Sequence, residues 1–329
     1  MRTRGMNYDV GAEMIAGRLS RPTFDAATAR AELTAIATDL HCDAVRISGE
    51  DPDRLAVAAR IAHELGLAVY LSPVRGNLRE AEALAYVGET AALAEQLRTS
   101  GEVVFVAGLE ATLFQHGFFP GETTLDRITL ASRPVRLLLG MLRTGDPHKR
   151  LNAYLAKAVA VTRERFGGPV TYAAGSWERV DWTPFDIVGI NLYRSAKNRT
   201  KYRQLLRDCA RPGKPVVLTE FGCCTYRGAA DRGGMGWAAI DRSATPARLA
   251  DGIVRDEAEQ ATELAELLAI YREEPIDGAF VFTWASYLYP WDDRPEHNLD
   301  TAGYGMVAVH PDGTWRPKEA YAVLASAPV

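Results

Sequence analysis

Val216-Val217-Leu218-Thr219-Glu220-Phe221-Gly222 is a short apolar run that ends in a carboxylate and a glycine. A strand that delivers one acidic residue at its C-terminal tip is how a parallel barrel presents a catalytic group to its mouth. One other segment has the same build, Val103-Val104-Phe105-Val106-Ala107-Gly108-Leu109-Glu110. Outward from these two, short apolar runs alternate with longer helical patterns along the chain, the signature of repeated βα units. The runs are Gly5 to Tyr8, Ala44 to Ile47, Ala68 to Leu71, Val103 to Ala107, Val170 to Ala173, Ile187 to Asn191, Val216 to Leu218 and Ala279 to Thr283. Eight such units predict an α/β protein built as a (β/α)8 TIM barrel.

Ala26 to Leu40, Pro52 to Leu65, Leu78 to Thr99, Pro147 to Phe166 and Arg255 to Tyr271 carry apolar residues at three- and four-residue spacing, as helices do. Gly66 and Gly167-Gly168 stand where left-handed caps would end two of them. A doubly wound sheet would place a glycine-rich phosphate turn after its first strand, and Asn7-Tyr8-Asp9-Val10-Gly11 is no such turn. No linker divides the chain, so residues 1–329 are expected to form a single barrel domain. Its longer loops follow strands four, seven and eight, at Ala111 to Asp126, Cys223 to Pro246 and Ala285 to Gly303.

Composition narrows the function. At 47% hydrophobic and 24% charged residues the chain can bury a large core, and a net charge of −4 without a basic block argues against nucleic acid as a partner. The N-terminus runs directly into polar residues and no stretch reaches membrane-span length, so a soluble, cytoplasmic protein is expected. Cys42, Cys209, Cys223 and Cys224 show neither a zinc spacing nor a secreted framework, and reduced thiols are expected. No metal-ligand spacing, dinucleotide fingerprint or Gly-x-Ser-x-Gly elbow appears, so no metal, cofactor or serine nucleophile is predicted. Oligomeric state is left open by the sequence.

Retaining glycoside hydrolysis needs one carboxylate as nucleophile and one carboxylic acid as proton donor, about 5 Å apart. Glu110 and Glu220 are the candidates. Arg46 could keep a neighbouring carboxylate ionised, Asn191 and Tyr193 could hydrogen-bond the nucleophile or substrate, and Trp284 could offer a flat face to a sugar ring. Trp177 and Tyr8 complete the substrate-binding candidates. The fourth and eighth loops, around Phe114-Gln115-His116-Gly117-Phe118-Phe119 and Tyr287-Leu288-Tyr289-Pro290-Trp291, are aromatic, which suits a carbohydrate or another partly apolar small molecule or, equally, a satellite core. His116 reads as structural. The glycine-rich segment from Arg227 to Trp237 could form a mobile lid or an anion-binding nest, and Cys223-Cys224 stand as neighbours of Glu220 rather than nucleophiles.

Taken in order, Arg46, Glu110, Asn191 and Tyr193, Thr219-Glu220-Phe221-Gly222, Trp284, Gly303-Tyr304-Gly305-Met306-Val307 and Pro317-Lys318-Glu319-Ala320-Tyr321 resemble the barrel clan of retaining glycoside hydrolases. The clan's acid/base follows strand four and its nucleophile strand seven. The resemblance implies Glu220 as nucleophile, Glu110 as acid/base, Arg46 and Tyr193 as partners of the nucleophile, and Trp284 as substrate platform. The chain departs from the clan at Leu109, where asparagine usually binds the sugar 2-hydroxyl. More narrowly, Gly5 to Asp9, Glu110 to Phe114 and Glu220 to Trp237 resemble actinobacterial barrel proteins often labelled abortive infection proteins. The expected function is a glycoside-hydrolase-like enzyme acting on a glycoside or related small molecule. The alternatives are a non-hydrolytic acid/base enzyme of small-molecule biosynthesis and a non-catalytic binding or defence protein on an inherited barrel.

Overall fold

The computed structural model describes residues 1–15, 17–131 and 145–327. Eight strands form a closed parallel barrel: β1 (Thr3–Gly11), β2 (Ala44–Gly49), β3 (Ala68–Pro73), β4 (Val103–Leu109), β5 (Val170–Gly175), β6 (Val188–Asn191), β7 (Val216–Phe221) and β8 (Gly278–Val281). Their order around the barrel is β1, β8, β7, β6, β5, β4, β3, β2, and the fold is a (β/α)8 TIM barrel. Every residue of β5, β7 and β8 is buried. Strands covered on both faces read as continuous apolar runs, which is why the sequence exposes them. A side chain at Gly5 would meet the Phe280 ring at 2.2 Å, so the residue opposite it in the β1–β8 register must be glycine.

The main helices are α1 (Ala26–Thr38), α2 (Pro52–Glu64), α3 (Glu80–Arg98), α4 (Pro147–Arg163), α5 (Tyr202–Cys209), α6 (Glu257–Glu273) and α7 (Glu319–Ser326). Helices α2 and α4 open alike: an aspartate, Asp51 or Asp146, accepts from a first-turn amide, and proline fills the next position. Gly66 is left-handed as expected, at φ 79°. Gly167 and Gly168 are not, because α4 already ends at Arg163 with Glu164 as its helical cap. Among the described residues, no helix is long and apolar enough to cross a membrane.

By Cα proximity the chain divides into two compact units. One comprises Met1–Asp9, Ala31–Val45 and Asn191–Val329 and carries Glu220; the other comprises Val10–Arg30 and Arg46–Ile190 and carries Glu110.

Candidate active site

Glu220 is the fifth residue of β7 and is 8% exposed. The Tyr193 hydroxyl, two residues past β6, donates to its Oε2 at 3.0 Å. Several contacts fix that tyrosine. Its ring packs edge-on against Tyr304 with centroids 5.6 Å apart, and its carbonyl accepts from Asn198 Nδ2 at 2.9 Å. The next residue, Arg194, grips Glu263 of α6 through Nε at 2.8 Å and reaches Glu266 as well. Beneath Glu220, Asn7 Nδ2 donates to the carbonyls of Thr219, Phe280 and Val281 at 3.0, 3.3 and 3.2 Å, tying β1, β7 and β8 together. Thr219 Oγ1 donates to Asn191 Oδ1 at 2.7 Å. Asn191 thus braces the residue preceding Glu220.

Tyr304 ties the segment after β7 to this arrangement. Its hydroxyl donates to the Gly233 carbonyl at 2.6 Å and accepts from the Gly236 amide at 2.9 Å, while the Tyr226 hydroxyl donates to the Gly236 carbonyl. The amides of Gly228 and Ala230 donate to the Glu259 carboxylate at 2.7 and 2.9 Å. The segment expected to be a lid or a nest is therefore a pinned loop, and Glu259 of this chain already takes those amides. Cys224 is buried with its Sγ 3.2 Å from the Ala302 carbonyl, and burial pushes the thiols of Cys223 and Cys224 far above the ordinary cysteine range. Neither is a poised thiolate.

In the other unit, Glu110 directly follows β4 with a left-handed backbone, φ 38° and ψ 48°. Glutamate is rarely found there, and such conformations cluster at functional positions when surroundings enforce them. Gly108, at φ 143°, lets the chain turn against the Tyr172 ring. Three successive amides are then taken up by β5 and its exit: Glu110 N–H donates to the Ala173 carbonyl, Ala111 N–H to the Tyr172 hydroxyl, and Thr112 N–H to Glu178 Oε1, at 2.9, 2.7 and 3.0 Å. Glu178 accepts three more bonds, from Thr112 Oγ1, the Tyr172 hydroxyl and the Gly175 amide, at 2.7, 2.9 and 3.1 Å. Burial raises its carboxyl above the usual range against the pull of those donors. Trp177 Nε1 donates to Thr112 Oγ1 at 3.0 Å, and its ring is 42% exposed.

The remaining candidates lie deeper. Arg46 is buried on β2 with Nε donating to Ser72 Oγ at 3.2 Å. Tyr8 is fully buried, its hydroxyl donating to Glu32 Oε2 at 2.5 Å beside a second donor, Tyr287. Trp284 is also fully buried, edge-on to Trp315 with centroids 5.0 Å apart. As placed, neither Tyr8 nor Trp284 exposes a face to a ligand, which corrects the expectation for both. The half-buried ring near the end of β8 is Phe282, packed edge-on against Tyr304. Sequence alternation could not choose between positions 282 and 284, because regular strand structure stops at Val281. Asn7 and Tyr304, which entered the sequence reading only within longer runs, were given no site role there, and Glu178 went unnoticed, since each acts through a partner distant in the chain.

A polar groove of about 620 Å³ beside α6 is lined by Arg194, Arg199, Glu259, Glu263 and Glu266 among others. Its guanidinium groups are paired, Arg194 with Glu263 and Glu266 and Arg199 with Asp231. Among the described residues, no group of three or more His, Cys, Asp or Glu is placed to hold a metal ion.

The closed eight-stranded parallel barrel with its surrounding helices defines the chain as a (β/α)8 barrel protein. No family model and no curated protein matches the chain. Solved structures match along its whole length. A GH113 beta-1,4-mannanase aligns with TM-score 0.65 at 16% identity, covering 99% of this chain and 98% of its own. A GH113 beta-mannanase from Alicyclobacillus acidocaldarius in complex with ManMIm gives 0.62 at 18% identity over 98% and 96%. A beta-glucuronidase from an uncultured Clostridium sp. gives 0.59 at 15% identity, over 99% of this chain and 50% of the longer one. At these identities the likeness shows the fold, and function must be argued from the site.

Proposed function

We propose that this chain is a glycoside-hydrolase-like enzyme of the retaining type, one (β/α)8 domain with Glu220 as nucleophile and Glu110 as acid/base. The observation that carries the reading is the Tyr193 hydroxyl 3.0 Å from Glu220 Oε2, because a fixed donor on one carboxylate oxygen orients the other for attack. The left-handed backbone of Glu110 at the tip of β4 supports its role. Similar folds include proteins named as beta-mannanases and a beta-glucuronidase, so a carbohydrate is the substrate class favoured. Trp177, the exposed ring tethered two residues past Glu110, would then receive the leaving group, as a flat face suits a pyranose or an aryl aglycone.

The test is incubation with 2-deoxy-2-fluoro glycosyl fluorides of the β-manno, β-gluco and β-glucuronyl series, followed by peptide mass spectrometry. A covalent adduct on Glu220 is expected. No adduct and no turnover of the matching aryl glycosides would remove the glycosidase reading.

Leu109 favours a second reading. Its side chain has no group to bond a sugar 2-hydroxyl, a contact that can contribute several kcal/mol in the transition state. The same two carboxylates would then move protons in a cyclisation, elimination or isomerisation of a non-sugar small molecule. Under that reading Glu110→Gln abolishes turnover while Glu220→Gln only reduces it.

A further inference from the structure

Glu110 precedes a single helical turn, Ala111–Phe114, and occupies its N-cap position without a side-chain capping bond. A serine, threonine, aspartate or asparagine there would fold its own side chain back onto the free amides of the first turn. Here those amides are capped from elsewhere: Ala111 by the Tyr172 hydroxyl and Thr112 by Glu178, whose carboxylate also accepts from Tyr172 itself. We propose that Glu178 is a positioning residue, a cap supplied from the β5 exit that locks Glu110 in its left-handed turn and so fixes where the Glu110 carboxylate is presented for proton transfer. Resting on the acid/base reading of Glu110, the inference extends it to a residue that touches no substrate.

The bonding pattern requires a carboxylate. Each Glu178 oxygen accepts two bonds, Oε1 from Thr112 N and Oγ1, Oε2 from the Tyr172 hydroxyl and the Gly175 amide. An amide in its place would turn an NH2 group toward two donors. Thr112 Oγ1 also receives the Trp177 indole N–H, so the same cap holds the exposed ring at a fixed offset from the Glu110 turn. Position of the proton donor and position of the leaving-group platform are set by one buried group.

Glu178→Gln tests this by leaving-group dependence. An acid that is out of place matters most where the departing oxygen needs a proton, and little where it does not. With the glycone that the parent protein cleaves, kcat/KM should fall on the order of 100-fold for the phenyl glycoside and within about threefold for the 2,4-dinitrophenyl glycoside. A crystal structure of the variant should show Glu110 leaving the left-handed region. Equal losses on both leaving groups, or unchanged rates with Glu110 still left-handed, overturn the proposal. Should the parent cleave no glycoside, the proposed function falls, and the Glu110 backbone in the variant alone decides for or against the cap. Thr112→Val, which removes the hydroxyl's bonds to Glu178 and Trp177 and keeps the Thr112 amide bond, serves if Glu178→Gln does not fold.

Discussion

Asp300→Asn should destabilise the protein by about 3 to 4.5 kcal/mol at pH 7. Asp300 is 1% exposed and lies between two cations, Lys318 Nζ at 2.8 Å from Oδ1 and Arg255 Nη2 at 2.9 Å from Oδ2. Lys318 itself has no exposure, and burial pushes its ammonium below the ordinary lysine range although Asp300 opposes the shift. Removing the anion leaves a buried charge uncompensated, a loss of about 3 to 5 kcal/mol in comparable cases. The loss has a ceiling, because Lys318 can release its proton. Holding a lysine neutral at pH 7 costs about 4.6 kcal/mol, which is 1.36 kcal/mol for each pH step below its free value of about 10.4.

The sign of the pH dependence follows from that depressed value. Between the folded and unfolded pKa of Lys318 the unfolded chain binds more protons, so stability rises with pH. Asp300→Asn should therefore recover toward parental stability from pH 7 to pH 9.5, and Asp300→Asn combined with Lys318→Met should cost less than half of the single change. Urea unfolding followed by tryptophan fluorescence at the two pH values measures both. A single-variant loss below about 1 kcal/mol, or one equal at both pH values, would refute the reasoning. The consequence reaches the site, since the turn bearing Asp300 hydrogen-bonds Thr225 through the Thr301 carbonyl and leads into Tyr304, the ring behind Tyr193.

Tyr193→Phe keeps the ring against Tyr304 and deletes the hydroxyl bond to Glu220; kcat/KM should fall roughly 10- to 100-fold, as expected for one hydrogen bond to a charged group, with melting temperature nearly unchanged. Trp177→Ala should raise KM about tenfold and leave kcat within about twofold, in steady-state kinetics on a glycoside with a sugar or aryl leaving group; a fall in kcat alone would place the ring outside the binding path. Among the thiols, only Cys209 is partly exposed, and burial pushes it up to about 11 and Cys42 to about 12. Ellman's reagent at pH 7.5 should find at most one slow thiol in the native protein and all 4 after denaturation; fast reaction at Cys223 or Cys224 would contradict their burial.

The sequence by itself determined the barrel and the tips of its two telling strands. Parallel strands covered on both faces must be continuously apolar, so β4, β5 and β7 stand out from polar helix faces, and a carboxylate ending such a run is conspicuous. Apolar spacing also predicted the helices that open at Pro52 and Pro147, and local cap chemistry predicted Gly66 closing one, because both depend on neighbours in the chain. The Gly167-Gly168 expectation failed since composition cannot say where helical bonding stops. Only the tertiary structure decided which aromatic residues are exposed: Trp284 and Tyr8 are as aromatic as Trp177, yet the first two fill the interior and the third faces solvent. It alone revealed Asn7 beneath Glu220, Tyr304 behind Tyr193 and Glu178 capping the Glu110 turn. Each of these bonds joins residues far apart in the chain or on different elements, and their energy depends on a distance and direction that spacing along a sequence does not contain.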